Sequence, residues 1–173
     1  MKIRCYKYTI LLSCFLFLSA CGFHLRGYQS LPPQLKLITI QAPNLYDPLV
    51  LQLEQNLVAS GVTIAKPPVT APVTLRILGI LFNQQTVNIS ANTFVKTYNL
   101  RYRISFELEN IEGNVIYGPK TVTTAASYVA NDTQILGDNN LLNMQKENMR
   151  RQAISQILNR LNSLEAREAL GQQ

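Results

Sequence analysis

The chain has 173 residues, 47% hydrophobic and 15% charged, with a formal net charge of +6. That composition excludes a wholly disordered chain and suits one domain with its own hydrophobic core. Three of the cations, Lys2, Arg4 and Lys7, crowd the start; beyond residue 20 there are 13 basic and 10 acidic residues and no dense Lys/Arg run, which argues against a nucleic-acid partner.

Those three cations precede an apolar run over 10–18, broken by Ser13 and Cys14. The run is shorter than the roughly 20 apolar residues that a membrane-spanning helix needs. A basic start, a short apolar stretch and small residues before a cut site predict an export signal over 1–20. It ends Leu18-Ser19-Ala20-Cys21, the pattern of a bacterial lipobox. The small residues let the extended chain into the lipoprotein signal peptidase, and the Cys21 thiol takes a diacylglyceryl group. Cys5 and Cys14 leave with the leader, so Cys21 is the one thiol left and no internal disulfide can form. Two or more acyl chains, such as palmitate, make anchoring stable at about 0.8 kcal/mol per buried CH₂. Gly22 follows the cysteine, where an Asp would signal inner-membrane retention; the expected location is the outer membrane.

A lipidated tether is expected over 21–34, with Gly27, Pro32 and Pro33 as breakers. Residues 35–40 read as a first strand, ended by Pro43. Asp47 as N-cap and Pro48 at the first helical position open a helix that runs to about Ser60 and closes at Gly61. Its Leu49, Val50, Leu53, Leu57 and Val58 recur at helical spacing. Lys66-Pro67-Pro68 is a turn, and a long strand over 73–89 follows, with a bend near Gly79.

The strand beginning near Val95 carries the clearest pattern. Tyr98, Leu100, Tyr102, Ile104, Phe106 and Leu108 alternate with Asn99, Arg101, Arg103, Ser105, Glu107 and Glu109. One face is therefore apolar and the other polar. Glu112-Gly113-Asn114 turns the chain into a returning strand over 115–129, where Pro119 marks an edge or a bulge. Residues 132–140 read as a polar loop. A helix over 141–164 follows, with an apolar stripe of Met149, Ala153, Ile154, Ile157, Leu158, Leu161 and Leu164. Residues 165–173 read as a polar, frayed tail. The order β-α-β-β-β-α predicts an α+β domain over 35–164: two helices packed on one face of a four-stranded, mostly antiparallel sheet, with the other face polar.

The residues of common catalytic chemistry are scarce. His24 is the only histidine and lies three residues from Cys21. This leaves no basis for a catalytic triad or a metal cluster. Gly-rich phosphate loops are also lacking, since Gly22 and Gly27 precede no strand–helix unit. Glu107 and Glu109 could imitate an acid/base pair, but strand neighbours two apart ordinarily just solvate one face. The chain is read as neither an enzyme nor a cofactor binder.

At Cys21-Gly22-Phe23-His24-Leu25-Arg26-Gly27 the sequence resembles the start of the mature LPS-assembly lipoproteins of the LptE family. The order of elements agrees along the rest of the chain, including the Gly61-Val62 helix stop and the Tyr98-Asn99-Leu100 start of the long hairpin. The resemblance implies a non-enzymatic protein, lipid-anchored at the outer membrane. It would sit within the lumen of the LptD β-barrel or face the periplasm, help the barrel assemble and take part in LPS delivery to the outer leaflet. LPS binding requires cations for the lipid A phosphates. The candidates are Arg101 and Arg103 on the polar strand face, with Arg76, Lys96 and Lys120. The same charges could equally be solvated or serve as barrel contacts. Family members place important basic residues in the loop between the second and third strands and before the last helix. Here 88–94 and 132–140 hold no Lys or Arg. Lipobox and topology alone would also serve a periplasm-facing lipoprotein of another lipid-transport system.

Overall fold

The computed structural model describes residues 31–66, 69–89, 95–131 and 135–171. The expected export signal, Cys21 and most of the expected tether lie outside the described residues. A 3₁₀ turn at Pro33–Leu35 leads into β1 (Leu37–Gln41), α1 (Pro48–Ala59), β2 (Thr63–Ile64), β3 (Val73–Ile89), β4 (Val95–Asn110), β5 (Val115–Asn131), α2 (Ile135–Leu161) and α3 (Leu164–Gly171).

Local chemistry sets the ends of α1. The Asp47 carboxylate accepts a hydrogen bond from the Leu49 amide at 2.8 Å, and Pro48 fills the first helical position. At the other end, Gly61 (φ 86°) turns the chain. The Val62 amide donates to the Leu57 carbonyl and the Gly61 amide to the Val58 carbonyl, the pairing of a Schellman cap. The turn between β4 and β5 is held by Asn110, whose side-chain oxygen accepts from the amides of Glu112 and Asn114.

The strands form one sheet in the order β2-β1-β3-β4-β5. β1 pairs parallel with β2 and β3; the long strands β3, β4 and β5 pair antiparallel. The four-stranded expectation misses β2, which is two residues long and too short to leave a periodic signal. It is built when Thr63 and Ala65 donate to the carbonyls of Lys36 and Ile38.

Alternation along β4 works as the sequence predicts. Leu100, Tyr102, Ile104, Phe106 and Leu108 are buried, and a single core joins them to Leu49, Leu53 and Leu57 of α1 and to Met149, Ala153, Ile154 and Ile157 of α2. Burying each large side chain contributes about 1.5–3 kcal/mol. The helices therefore cover one face of the sheet. The opposite face is mixed, not uniformly polar: Leu81 stands exposed beside Arg101, Arg103 and Asn83.

Both ends of the last helical segment correct the sequence reading. α2 starts at Ile135, inside the stretch read as a loop. Asn139 and Asn140 are exposed there, so that turn of helix needs no apolar stripe. α2 then stops at Leu161, and the expected polar tail is helix α3. Ser163 caps it by accepting a hydrogen bond from the Ala166 amide, while Ala166 and Leu170 are fully buried. The core therefore extends past residue 164, to Leu170. Replacing Leu170 by Ala should lower stability by about 2–4 kcal/mol, read as a fall in the urea midpoint. A frayed tail would leave the midpoint unmoved.

Candidate functional site

The helix-free face of the sheet is where the charged candidates were expected. Register decides which of them reach it. Arg101 lies between Asn83 and Ala125, and Arg103 between Leu81 and Thr123. Both arginines are exposed. They are two residues apart on one strand, so their side chains project from the same face at neighbouring positions. A shallow depression of about 340 Å³ beside Arg101 is walled by Asn83, Gln85, Asn99 and Ser127. It offers amide and hydroxyl donors next to one exposed cation.

Arg76 reaches the same face farther along, opposite Glu107. It is engaged, because its guanidinium forms an ion pair with Glu109. Glu107 and Glu109 are 8% and 7% exposed, so the expectation of a solvated acidic pair is corrected. A β-bulge on β5 brings Gly118 against Glu107, while Arg76 covers Glu109. Gly118 and Arg76 thus hold both carboxylates out of solvent.

Lys120 and Lys96 do not join the arginines. Lys120 pairs with buried Phe106, lies over the Tyr117 ring and forms an ion pair with Glu165 of α3. It is therefore on the helix-covered side. The cause is the bulge at Gly118-Pro119, which lets Tyr117 and Lys120, three residues apart, share a face. Lys96 has the strand parity of Tyr98 and Leu100, and so also falls on the side away from Arg101 and Arg103. Of the five candidates, Arg76, Arg101 and Arg103 share the outer face.

On the helix-covered side, a second polar constellation was not singled out in the sequence. Tyr102 packs edge-on against Phe82, with ring centroids 6.2 Å apart, and Lys146 of α2 sits 4.8 Å over the Phe82 ring. These groups border a depression of about 250 Å³ with Asp47 and Arg150 at its rim. Asp47 stands against Lys146 there and Arg150 is paired with Glu147, so the depression has no strong preference for an anion. The i, i+4 spacing of Lys146 and Arg150 was the available signal, but it is also ordinary for a solvated helix face. Among the described residues, no group of three His, Cys, Asp or Glu side chains could hold a metal ion. No described helix is long and apolar enough to cross a membrane.

Burial, aided by the charge of Asp47 and opposed by a hydrogen bond from Arg150, pushes the Tyr102 pKa up to about 12. The unfolded value is near 10. The folded state thus holds the proton more tightly. Stability from this source is fully present below pH 10 and is lost as pH rises towards 12. Absorbance at 295 nm should show Tyr102 still protonated at pH 11. Tyr102→Phe should remove that late-titrating group and flatten the alkaline fall in stability.

Comparison with known proteins agrees with this architecture. The family described as "LptE: Lipopolysaccharide-assembly" matches residues 35–161. An LPS-assembly lipoprotein LptE of Yersinia enterocolitica is 31% identical over 151 residues, covering 87% of this chain and 72% of that protein. One from Yersinia pestis is 29% identical over 162 residues, covering 92% of this chain and 77% of that protein. Among solved structures, a minor lipoprotein from Acinetobacter baumannii superposes with a TM-score of 0.54 at 26% identity, covering 78% of this chain and 93% of that one. Lipoprotein B from Nitrosomonas europaea shares the fold, with a TM-score of 0.69 at 20% identity, covering 84% of this chain and 93% of that one. The family is one of lipoproteins of LPS assembly and not of enzymes, and this chain belongs to it: it is a member of the LptE family.

Proposed function

We propose that this chain is exported by residues 1–20, acylated at Cys21 and tethered through 21–34 to the outer membrane. Its domain then occupies the lumen of the LptD β-barrel, helps the barrel assemble and takes part in LPS delivery to the outer leaflet. The observation that carries this reading is the sheet itself. One face is sealed by helices, while the other is left open and bears Arg101 and Arg103 among Asn83, Asn99 and Ser127.

The physics supports each part of the role. A large outer-membrane barrel has a polar, water-filled interior. A plug must therefore keep its apolar surface inward, as α1, α2 and α3 do here, and offer polar groups outward. A diacyl anchor confines the domain to the membrane and raises its effective concentration for a barrel in the same membrane. Two neighbouring guanidinium groups suit the phosphates of lipid A, which they can meet with paired, charge-assisted hydrogen bonds. Arg76 is engaged by Glu109 and Lys120 by Glu165, so Arg101 and Arg103 are the residues assigned to LPS.

Two measurements test this. The lipidated full chain, purified in mild detergent from its own outer membrane, should bring down a large β-barrel identified by mass. Recovery as a free monomer would overturn the plug assignment. Separately, Arg101→Glu combined with Arg103→Glu should reduce LPS retained on the immobilised protein by at least about tenfold, with the melting temperature unchanged. Lys120→Ala should leave retention at the wild-type level. Full retention by the double variant would remove the outer face from the reading.

A further inference from the structure

A groove of about 450 Å³ runs between α1 and α2 on the helix-covered side. Gln52 and Asn56 wall it from α1, and Ile154, Ser155 and Leu158 from α2. Leu31, the first described residue, lines it too. The Gln52 side chain donates through Nε2 to Glu147 Oε1 at 2.8 Å, which fixes its amide. Its own Oε1 is buried and has no hydrogen-bond partner among the described residues. A buried acceptor without a donor is costly, so this oxygen marks a place where a donor belongs.

The chain enters beside the C-terminal end of α1. The Lys36 carbonyl accepts from the Thr63 amide at 2.7 Å, just past that end, and Ser60 lines the groove there. Gln52 and Ser60 are eight residues apart, about 12 Å along a helix. Four extended residues span about 13 Å. Those before Leu31 are Gly27, Tyr28, Gln29 and Ser30, all uncharged. The groove suits an uncharged segment, because the two charged residues lining it, Glu147 and Arg151, pair with each other. Its carboxamides and hydroxyls can both donate and accept, as the peptide groups of an extended chain require.

We infer that residues 27–30 seat in the groove between α1 and α2, with a donor from Gly27 or Tyr28 meeting the Gln52 Oε1 atom. The segment is joined to Leu31, so it enters at a high effective concentration, which favours it over a separate partner. The tether is then a leash of residues 21–26 only, about 20 Å long when extended against about 33 Å for 21–30. It leaves the domain on the helix-covered side, opposite Arg101 and Arg103. A domain drawn to the bilayer through Cys21 therefore keeps its arginine face turned from the anchor. That consequence rests on the acylation proposed above; the seating does not.

The chain has no tryptophan, so Tyr28→Trp gives a lone fluorescent reporter. It is read in the full chain purified in mild detergent. The indole should emit at short wavelength and resist quenching by acrylamide. Gln55→Arg with Ser155→Arg, both exposed positions on the groove walls, should fill the groove and shift the emission to longer wavelength, with quenching raised about threefold. Gln152→Arg with Gln156→Arg, exposed on α2 outside the groove, should leave the indole shielded. Circular dichroism melts should be alike for all, since each position is exposed. An indole quenched equally with the groove open and filled overturns the inference, whether it is bare in both or shielded by the micelle in both. The mass of the same protein reports Cys21 separately: an unmodified sulfur beside a shielded indole would overturn the anchor and leave the seating standing.

Discussion

Everything in this domain rests on three long strands having only one buried face. Leu100, Ile104, Phe106 and Leu108 lose nearly all contact with water, and α1 and α2 supply the apolar surface that replaces it. Because side chains alternate, a slip of one residue between β3 and β4 would turn all four into solvent. At about 1.5–3 kcal/mol each, that cost approaches the whole stability of a small domain. Register is therefore fixed tightly, and the Asn110 turn fixes it again from the end of the hairpin. The outer face receives whatever residues occupy the other parity.

Two local departures from strict alternation then decide the layout of charge. On β3 the register shifts between Ile77 and Gly79, so Arg76 lies opposite Glu107 while the strand continues beyond with Leu81 and Asn83 on the same face. On β5 the bulge at Gly118-Pro119 turns Lys120 towards Tyr117 and Glu165. Gly118 is required there: with φ at 110°, a Cβ would come within 3.0 Å of the Glu107 Cβ and 3.1 Å of the Phe106 carbonyl oxygen. The close approach also shields Glu107. One extra residue in a strand thus removes a cation from the open face and an acid from solvent.

These departures mark the limit of what the sequence makes legible. The α1 caps, the β3 and β4 spans and the hairpin turn are all local effects, written in Asp47-Pro48, Gly61, the alternation over Tyr98–Leu108, and Asn110 to Asn114. Reading charges onto faces demands a parity count carried through the bulges, and a bulge adds one to the count without changing composition. Pro119 announced an edge or bulge correctly, but only the pairing of Phe106 with Lys120 shows which way parity turns. β2 and α3 were missed for a different reason. Each is short and owes its existence to tertiary partners: β1 for Thr63 and Ile64, and the core for Ala166 and Leu170. A helix over Leu164–Gly171 shows in a sequence only when apolar residues recur at its spacing, and Ala166 with Leu170 is a sparse stripe.

The outcome is an outer face polarised along its strands. At one end Arg76 pairs with Glu109 while Gly118 shields Glu107, so one cation stands against two buried carboxylates. Arg103 stands four residues from Glu107, about 13 Å along an extended strand. That exceeds the screening length of about 8 Å at physiological salt, so the carboxylates do little to neutralise it. The immediate neighbours of Arg101 and Arg103 across the sheet are Asn83, Leu81, Ala125 and Thr123, all uncharged. Two guanidinium groups about 7 Å apart in water repel by roughly 0.6 kcal/mol. A surface that met only a neutral wall would gain nothing from this. A phosphate lying between the two cations turns the same arrangement from repulsive to attractive, so the pair favours an anionic ligand over an uncharged contact.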